Sequence, residues 1–406
     1  MATASTSWTT VHEFLQNSDD ETIACFNQVN WDQLCRIASD ANHSLSCVAL
    51  DQITSGLNNV VRQLEFSNKT RWAARVPIIR SHPSYSYGKL LQNEIATMQF
   101  IHDNSSLPVP QVFVYNTDMN NAAESAFMLI EMLPGIVAMD ALGGHKVHHG
   151  VIPVEYRKPF YQSVAKCHVQ MTSLRLPKIG TVIRMEDGGY ESGPIPGIGG
   201  PFDTAAAFFE AWADHVSFKL DKETITGMMQ RGPISAEKMI KIIDDFPRQI
   251  KGMAKQLPFS NDGPFPLSHD DFLHSNIMVD EASFDVTGII DWEGAFTVPW
   301  SLIGYPEFLS VMPRSFDLPQ HYGQDGQPLD ESVKEQWRER REYLEMVKMA
   351  EMAEGEDSLL SNSLGSNLSQ TLAYSYGAYT SIGKLGFYDR VVAELNEGTE
   401  VTSVAV

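Results

Sequence analysis

Residues 268–276 read SHDDFLHSN; the chain then runs through IMVD at 277–280 and a polar turn to GIIDWEGAF at 288–296. Two apolar runs flanking a turn predict a small β-hairpin. The loop entering its first strand carries His269, Asp271 and Asn276, and its second strand ends on Asp291. A hairpin returns the chain to the edge it started from, so Asp291, fifteen residues after Asn276, can reach the same place from the far side.

That grouping suits one chemistry. Phosphoryl transfer from ATP needs an acceptor for the hydroxyl proton, oxygen ligands for magnesium and a cation near the phosphates, because positioning and charge neutralisation supply most of the catalysis. The pattern His-x-Asp-x-x-x-x-Asn offers the first two on one short loop. Asp291 adds a second carboxylate, and magnesium favours such oxygen ligands, few in number and supplemented by water and phosphate. The triplet alone recurs by chance in roughly one chain of this size in fifty, so the order loop, strand, turn, strand, Asp-Trp-Glu carries the weight. The competing reading is that Asp271, Asn276 and Asp291 merely cap turns and helices.

Upstream, VHEFLQNSDDETIACF and WDQLCRIASDA, within residues 8–42, have helical spacing, and residues 46–80 change to short β-rich runs, SCVALDQI, VVRQLEF and RWAARVPI, separated by TSGLNN and SNKT. GKLLQNEIATMQFIHD at 88–103 puts Leu91, Ile95, Met98 and Ile101 on one helical face. LPVPQVFVYN starts a new strand, and SAFMLIEMLPG at 125–135 ends one at Pro134-Gly135, a natural hinge. Beyond it helices are predicted at 157–174, 204–219, 235–256 and 331–352. GGYESGPIPGIGGPF at 188–202 is too rich in Gly and Pro for regular structure. A β-rich part, a hinge and a helical part predict an α+β class with two lobes.

These segments resemble the aminoglycoside phosphotransferase and choline kinase-like group of the protein kinase-like fold, in particular its fungal phosphotransferase members. HDDFLHSNIMVD looks like the catalytic loop, GIIDWEGAFTVPW like the metal-binding segment, and LPVPQVFVYN and FMLIEMLPG like the strand before the hinge and the hinge itself. The resemblance runs from about residue 46 to 310. It implies that Asp271 is the catalytic base, that Asn276 and Asp291 hold magnesium, and that backbone near Ile130 to Met132 meets adenine. It places the turn over the phosphates on ITSGLNN, with Gly56 assisted by Ser55, Asn58 and Asn59, and aligns the phosphate-binding lysine with Arg75, whose ion partner on the next helix is Glu94. Three features depart from the family pattern: the turn has one glycine, Arg75 replaces lysine, and Asp270 stands where glycine is common. An extra carboxylate beside Asp271 raises the pKa of one member of the pair.

The resemblance implies four segments: a helical extension at 1–45, a nucleotide-binding N-lobe at 46–132, a C-lobe at 133–310 with the catalytic loop and metal segment, and C-terminal helices at 311–406 that wall an acceptor pocket. The expected reaction is ATP- and magnesium-dependent phosphorylation of a hydroxyl on a small molecule. Two alternatives stand beside it: a pseudokinase-like binding or scaffold protein, which the three departures favour, and another transfer such as adenylylation.

Bulk composition narrows the partners. The 406 residues carry a formal net charge of −21, which opposes a nucleic-acid backbone or an anionic membrane surface and suits a cationic acceptor such as an amino sugar or amino alcohol. The N-terminal MATASTSWTTVHEF has neither a basic start nor an apolar run, and no window approaches a membrane span, so a cytoplasmic protein is expected. Cys25, Cys35, Cys47 and Cys167 lack metal or redox spacing. His145, His148 and His149 lie close together without a carboxylate or cysteine at ligand spacing and read as an exposed loop. Trp292, Trp300, the Cys167-His168 pair, and Met346, Met349 and Met352 read as packing residues. No G-x-S-x-G elbow or dinucleotide fingerprint is present, which argues against a common serine hydrolase or a dinucleotide enzyme.

Overall fold

The computed structural model describes residues 8–80, 87–144, 147 and 151–404, with the side chains of 399–404 left aside. His145, His148 and His149 lie outside the described residues. The chain forms two compact units: residues 1–164, 182–190 and 269–295 make the first, and 165–181, 191–268 and 296–406 the second. The loop and hairpin around Asp271 thus belong to the same unit as the β-rich N-terminal part, although more than a hundred residues separate them in sequence.

The first unit is built on a six-stranded antiparallel sheet. Its strands are β1 (Thr9–Thr10), β2 (Cys47–Ser55), β3 (Asn59–Phe66), β4 (Arg71–Pro77), β5 (Val112–Asn116) and β6 (Phe127–Glu131), in the order β1-β2-β3-β4-β6-β5. Because side chains alternate across a strand, β4 serves two layers. Trp72, Ala74 and Val76 join a core with Phe14, Cys25, Leu34 and Ala38 from α1 (Val11–Asn17), α2 (Asp20–Gln28) and α3 (Trp31–Ala41). The three helices within residues 11–41 therefore bring one covering layer of the sheet. Ala73 and Arg75 point to the opposite face, where Arg75 meets Glu94 of α4 (Tyr87–Asn104). The predicted apolar face of α4 is the buried one, with Leu91, Ile95, Met98 and Ile101 all inside.

A second, three-stranded sheet of this unit holds the predicted hairpin. β7 (Ile136–Val137) follows the hinge, and β12 (Ile277–Val279) pairs with both β7 and β13 (Val286–Ile289). The strands between β7 and β12 are β8 (Arg175–Leu176), β9 (Gly180–Arg184), β10 (Tyr190–Gly193) and β11 (Phe265–Ser268). Regular structure thus enters the Gly/Pro-rich stretch at β10. Its turn after β9 is closed by the Met185 N–H donating to Gly189 O over 2.8 Å, a local bond that composition alone does not reveal.

The second unit is mainly helical. α5 (Val154–Ser173) leads into it, followed by α6 (Ala205–His215), α7 (Lys222–Met228), α8 (Ala236–Met253), α9 (Glu331–Glu354), α10 (Leu359–Gly365), α11 (Asn367–Gly377) and α12 (Tyr388–Val404). Its core is aromatic: Phe208 and Trp212 of α6, Phe246 of α8, Phe316, Tyr379 and Tyr388. β11 pairs there with β8 and with β14 (Phe296–Thr297).

One packing expectation is corrected. Met349 and Met352 are exposed, at 56% and 83%, because α9 buries the stripe Tyr343, Val347 and Glu351, four residues apart, and a methionine every third residue drifts off that face. Trp292, Trp300, Cys167 and His168 are buried. The four cysteines are thiols, three buried and Cys47 partly so.

Candidate active site

The hairpin register assembles the polar groups. Ile277 lies opposite Ile289, and the Ile290 N–H donates to Asn276 O over 2.9 Å, so Asn276 faces the residue immediately before Asp291. Asn276 Nδ2 donates to Asp271 O at 2.9 Å and to Asp271 Oδ2 at 3.0 Å. The amide nitrogen is thereby committed to Asp271, which leaves the amide oxygen as the atom suited to a cation. His269 braces the loop from inside: its Nδ1 accepts from the Asp271 N–H at 3.1 Å, so its Nε2 carries the proton and donates to Ile290 O at 3.0 Å. Burial holds this imidazole below its ordinary pKa, so it stays neutral.

Arg75 joins this hairpin to the first sheet. Its Nη1 bonds Glu94 Oε1, its Nη2 lies 2.5 Å from Asp291 Oδ1, and the same nitrogen is 3.6 Å from Glu293 Oε2. Glu293 in turn accepts from Asn58 Nδ2 and Asn59 Nδ2, each at 3.2 Å. The sequence reading passed over Glu293, although the signal was in Asp-Trp-Glu: Trp292 is fully buried, and the two acids flanking it both reach Arg75. It also passed over Arg80, whose Nη2 donates to Leu57 O at 2.8 Å and whose Nη1 meets Glu21 at 2.9 Å, fastening the turn after β2 to α2.

The remaining expected residues are less closely grouped. Ile130 sits inside β6, opposite Ala73 on one side and Val112 on the other, so the sheet takes its peptide groups. Met132 lies just past the last residue of β6, Glu131. Gly56 begins the turn between β2 and β3, and its N–H donates to Asn59 O at 3.0 Å. A Cβ built there would meet nothing within 4 Å.

Asp291 has a left-handed φ of +66°, a region that Asp tolerates better than most residues, and Gly294 follows at φ +80°. A Cβ on Gly294 would lie 3.1 Å from Asp270 Oδ2. Gly294→Ala is therefore expected to cost about 1–2 kcal/mol. Gly56→Ala, with ordinary φ and open space, should be neutral or stabilising by up to about 1 kcal/mol. Urea unfolding of both variants checks the contrast.

Three carboxylates, Glu94, Asp291 and Glu293, meet the Arg75 guanidinium, and Asp270 and Asp271 lie on the loop before β12. Burial, then the charges of Asp291 and Glu293, push Glu94 upward against the pull of Arg75. Asp271 and Glu293 are also raised, chiefly by burial. Asp270 is pushed up to about 6 by the loss of water around its carboxyl, then by Asp271 and Glu293. A carboxyl whose folded pKa exceeds its unfolded value of 3.8 weakens the fold as pH rises through that interval. Asp270→Asn should thus gain thermal stability over the wild type between about pH 4 and pH 6 and keep that margin above it. An equal difference in melting temperature at pH 4 and pH 7.5 would contradict this assignment.

The donor set fits magnesium. Asn276 offers an amide oxygen and Asp291 a carboxylate, both hard oxygen ligands. Among the described residues no three His, Cys, Asp or Glu side chains form a metal cage.

Residues 50–300 match the family model described as "Phosphotransferase enzyme family". Among curated proteins, a subtelomeric hrmA-associated cluster protein of Aspergillus fumigatus is 21% identical over 334 residues, 67% of this chain and 63% of that protein. The chain thus matches less than two thirds of that relative's length. Altered inheritance of mitochondria protein 9, mitochondrial, of Debaryomyces hansenii is 23% identical over 144 residues, 36% of this chain and 23% of that one. Among solved structures, macrolide 2'-phosphotransferase type I gives a TM-score of 0.41 at 14% identity, covering 91% of this chain and 95% of that one. A thermostable mutant of aminoglycoside phosphotransferase APH(4)-Ia, in a ternary complex with ADP and hygromycin B, gives 0.43 at 14%, covering 90% and 99%. Among the described residues no helix is long and apolar enough to cross a membrane.

Proposed function

Because the chain belongs to the phosphotransferase enzyme family, whose model spans residues 50–300, we propose that it transfers the terminal phosphoryl group of ATP to a hydroxyl of a small molecule. The observation that carries this reading is the meeting of Asp271, bonded by Asn276, with the hairpin edge from which Asp291 reaches Arg75.

In this reading Asp271 orients the acceptor hydroxyl and takes its proton as the oxygen attacks the γ-phosphorus and the bond to the ADP oxygen breaks. Its raised pKa makes it a better proton acceptor than an ordinary aspartate. Asn276 and Asp291 would hold magnesium, which supplies charge neutralisation on the transferring phosphoryl group. Glu94 fixes one end of the Arg75 guanidinium, and the other end, which meets Asp291 and Glu293, would turn to the phosphates once a cation takes the Asp291 carboxylate. The turn at Gly56 and Asn58 covers them, and backbone beyond β6, at Met132 rather than at the sheet-paired Ile130, takes the adenine edge. The acidic surroundings suit a cationic acceptor such as an amino sugar or amino alcohol.

Binding without turnover is the second reading. It is favoured by the commitment of Arg75, whose side chain is 9% exposed, to three carboxylates. Incubation with ATP, magnesium and a panel of amino sugars and amino alcohols, followed by mass spectrometry, separates the possibilities. A phosphate ester formed in step with ADP supports the kinase reading, and an AMP ester replaces it with adenylyl transfer. Tight ATP binding without product leaves a binding protein.

A further inference from the structure

The geometry points to Glu293 as a positioning residue: its carboxylate, facing Arg75, clamps the turn between β2 and β3 through the side chains of Asn58 and Asn59. This rests on the reading that the turn covers the ATP phosphates. The turn has one glycine with no steric need to be one, and Leu57 at its tip is 69% exposed. Backbone bonds fix its base, from Gly56 N–H to Asn59 O and from Ile78 N–H to Asn58 O, and Arg80 holds its outer side at Leu57 O.

What sets its position relative to the metal-binding segment is Glu293, which follows Asp291 by two residues and receives both asparagine amides at 3.2 Å. Asn59 is 8% exposed, so its amide needs an acceptor, and the carboxylate supplies one of the stronger kind. Arg75 lies 3.6 Å from the same carboxylate. A displacement of Asp291 is thereby passed to the turn through a single side chain.

The test uses the full chain with magnesium and the ATP analogue AMP-PNP. Glu293→Ala should weaken analogue binding by about tenfold or more, as loss of two charge-assisted hydrogen bonds implies, and should speed amide exchange at residues 56–60. Glu293→Gln, which still accepts one asparagine bond, should recover part of both. Adding Asn58→Ala and Asn59→Ala to Glu293→Ala should cost little more, because the clamp is already open. Unchanged exchange at 56–60 in Glu293→Ala, or additive losses, would overturn the clamp. Failure of the wild type to bind AMP-PNP would instead sink the nucleotide reading and, with it, the purpose assigned to the clamp. The exchange measurement tells these two failures apart.

Discussion

Asp271→Asn is expected to lower phosphoryl transfer by about 10²–10⁴-fold, the span that a positioned general base supplies, while leaving AMP-PNP binding within about threefold of wild type. The side chain keeps its size and one oxygen, so Asn276 retains a partner and His269 still receives the backbone N–H at 271. Only the proton acceptor is gone. A loss confined to turnover, read as ADP release with the acceptor found by screening, marks a group acting on the reacting hydroxyl. An equal loss in Kd would assign Asp271 to the fold of the loop instead.

The largest effect on stability should come from Arg75→Met. The change strands Glu94, 3% exposed, beside the carboxylates of Asp291 and Glu293 with no guanidinium between them. Breaking a buried pair from one side costs about 3–5 kcal/mol, and the orphaned Glu94 must take up a proton to remain inside. The double variant Arg75→Met with Glu94→Leu should recover most of the loss, because the stranded charge leaves with its partner. Arg75→Lys should fall between, since one ammonium does not reach Glu94 and Asp291 through two separate nitrogens as the guanidinium does. Denaturant midpoints for the three variants give the order, and a single variant as stable as the double would contradict it.

The parts of this molecule that local periodicity governs were legible in the chain. The apolar stripe of α4, the β-rich run that becomes β4 and the hairpin after Asn276 arise from neighbours in sequence, and their residues sit where that spacing puts them. The loop from His269 to Asn276 was legible because its groups lie within eight residues. What escaped depends on partners far apart. Glu293 meets Asn58 across 235 positions, so no spacing rule reaches it, and Arg80 shows its use only when α2 is folded against the sheet. Met349 and Met352 misled because a three-residue recurrence imitates a helical face that Tyr343, Val347 and Glu351 occupy instead.

The arginine in place of lysine acquires a reason from the same geometry. A guanidinium can hold Glu94 with one nitrogen while the other meets Asp291 and approaches Glu293, so one residue gathers acids from α4 and from the segment after β13. Such a cluster carries excess negative charge, and a divalent cation held by Asn276 and Asp291, as proposed above, would relieve it.

The most direct test is calorimetric titration of ATP into the wild type and Asp291→Ala, with and without magnesium. Tight binding by the wild type that requires magnesium and disappears in the variant is the predicted result. Binding indifferent to magnesium, or retained in Asp291→Ala, would contradict the assignment of Asp291 to the metal and the phosphoryl-transfer site built around it.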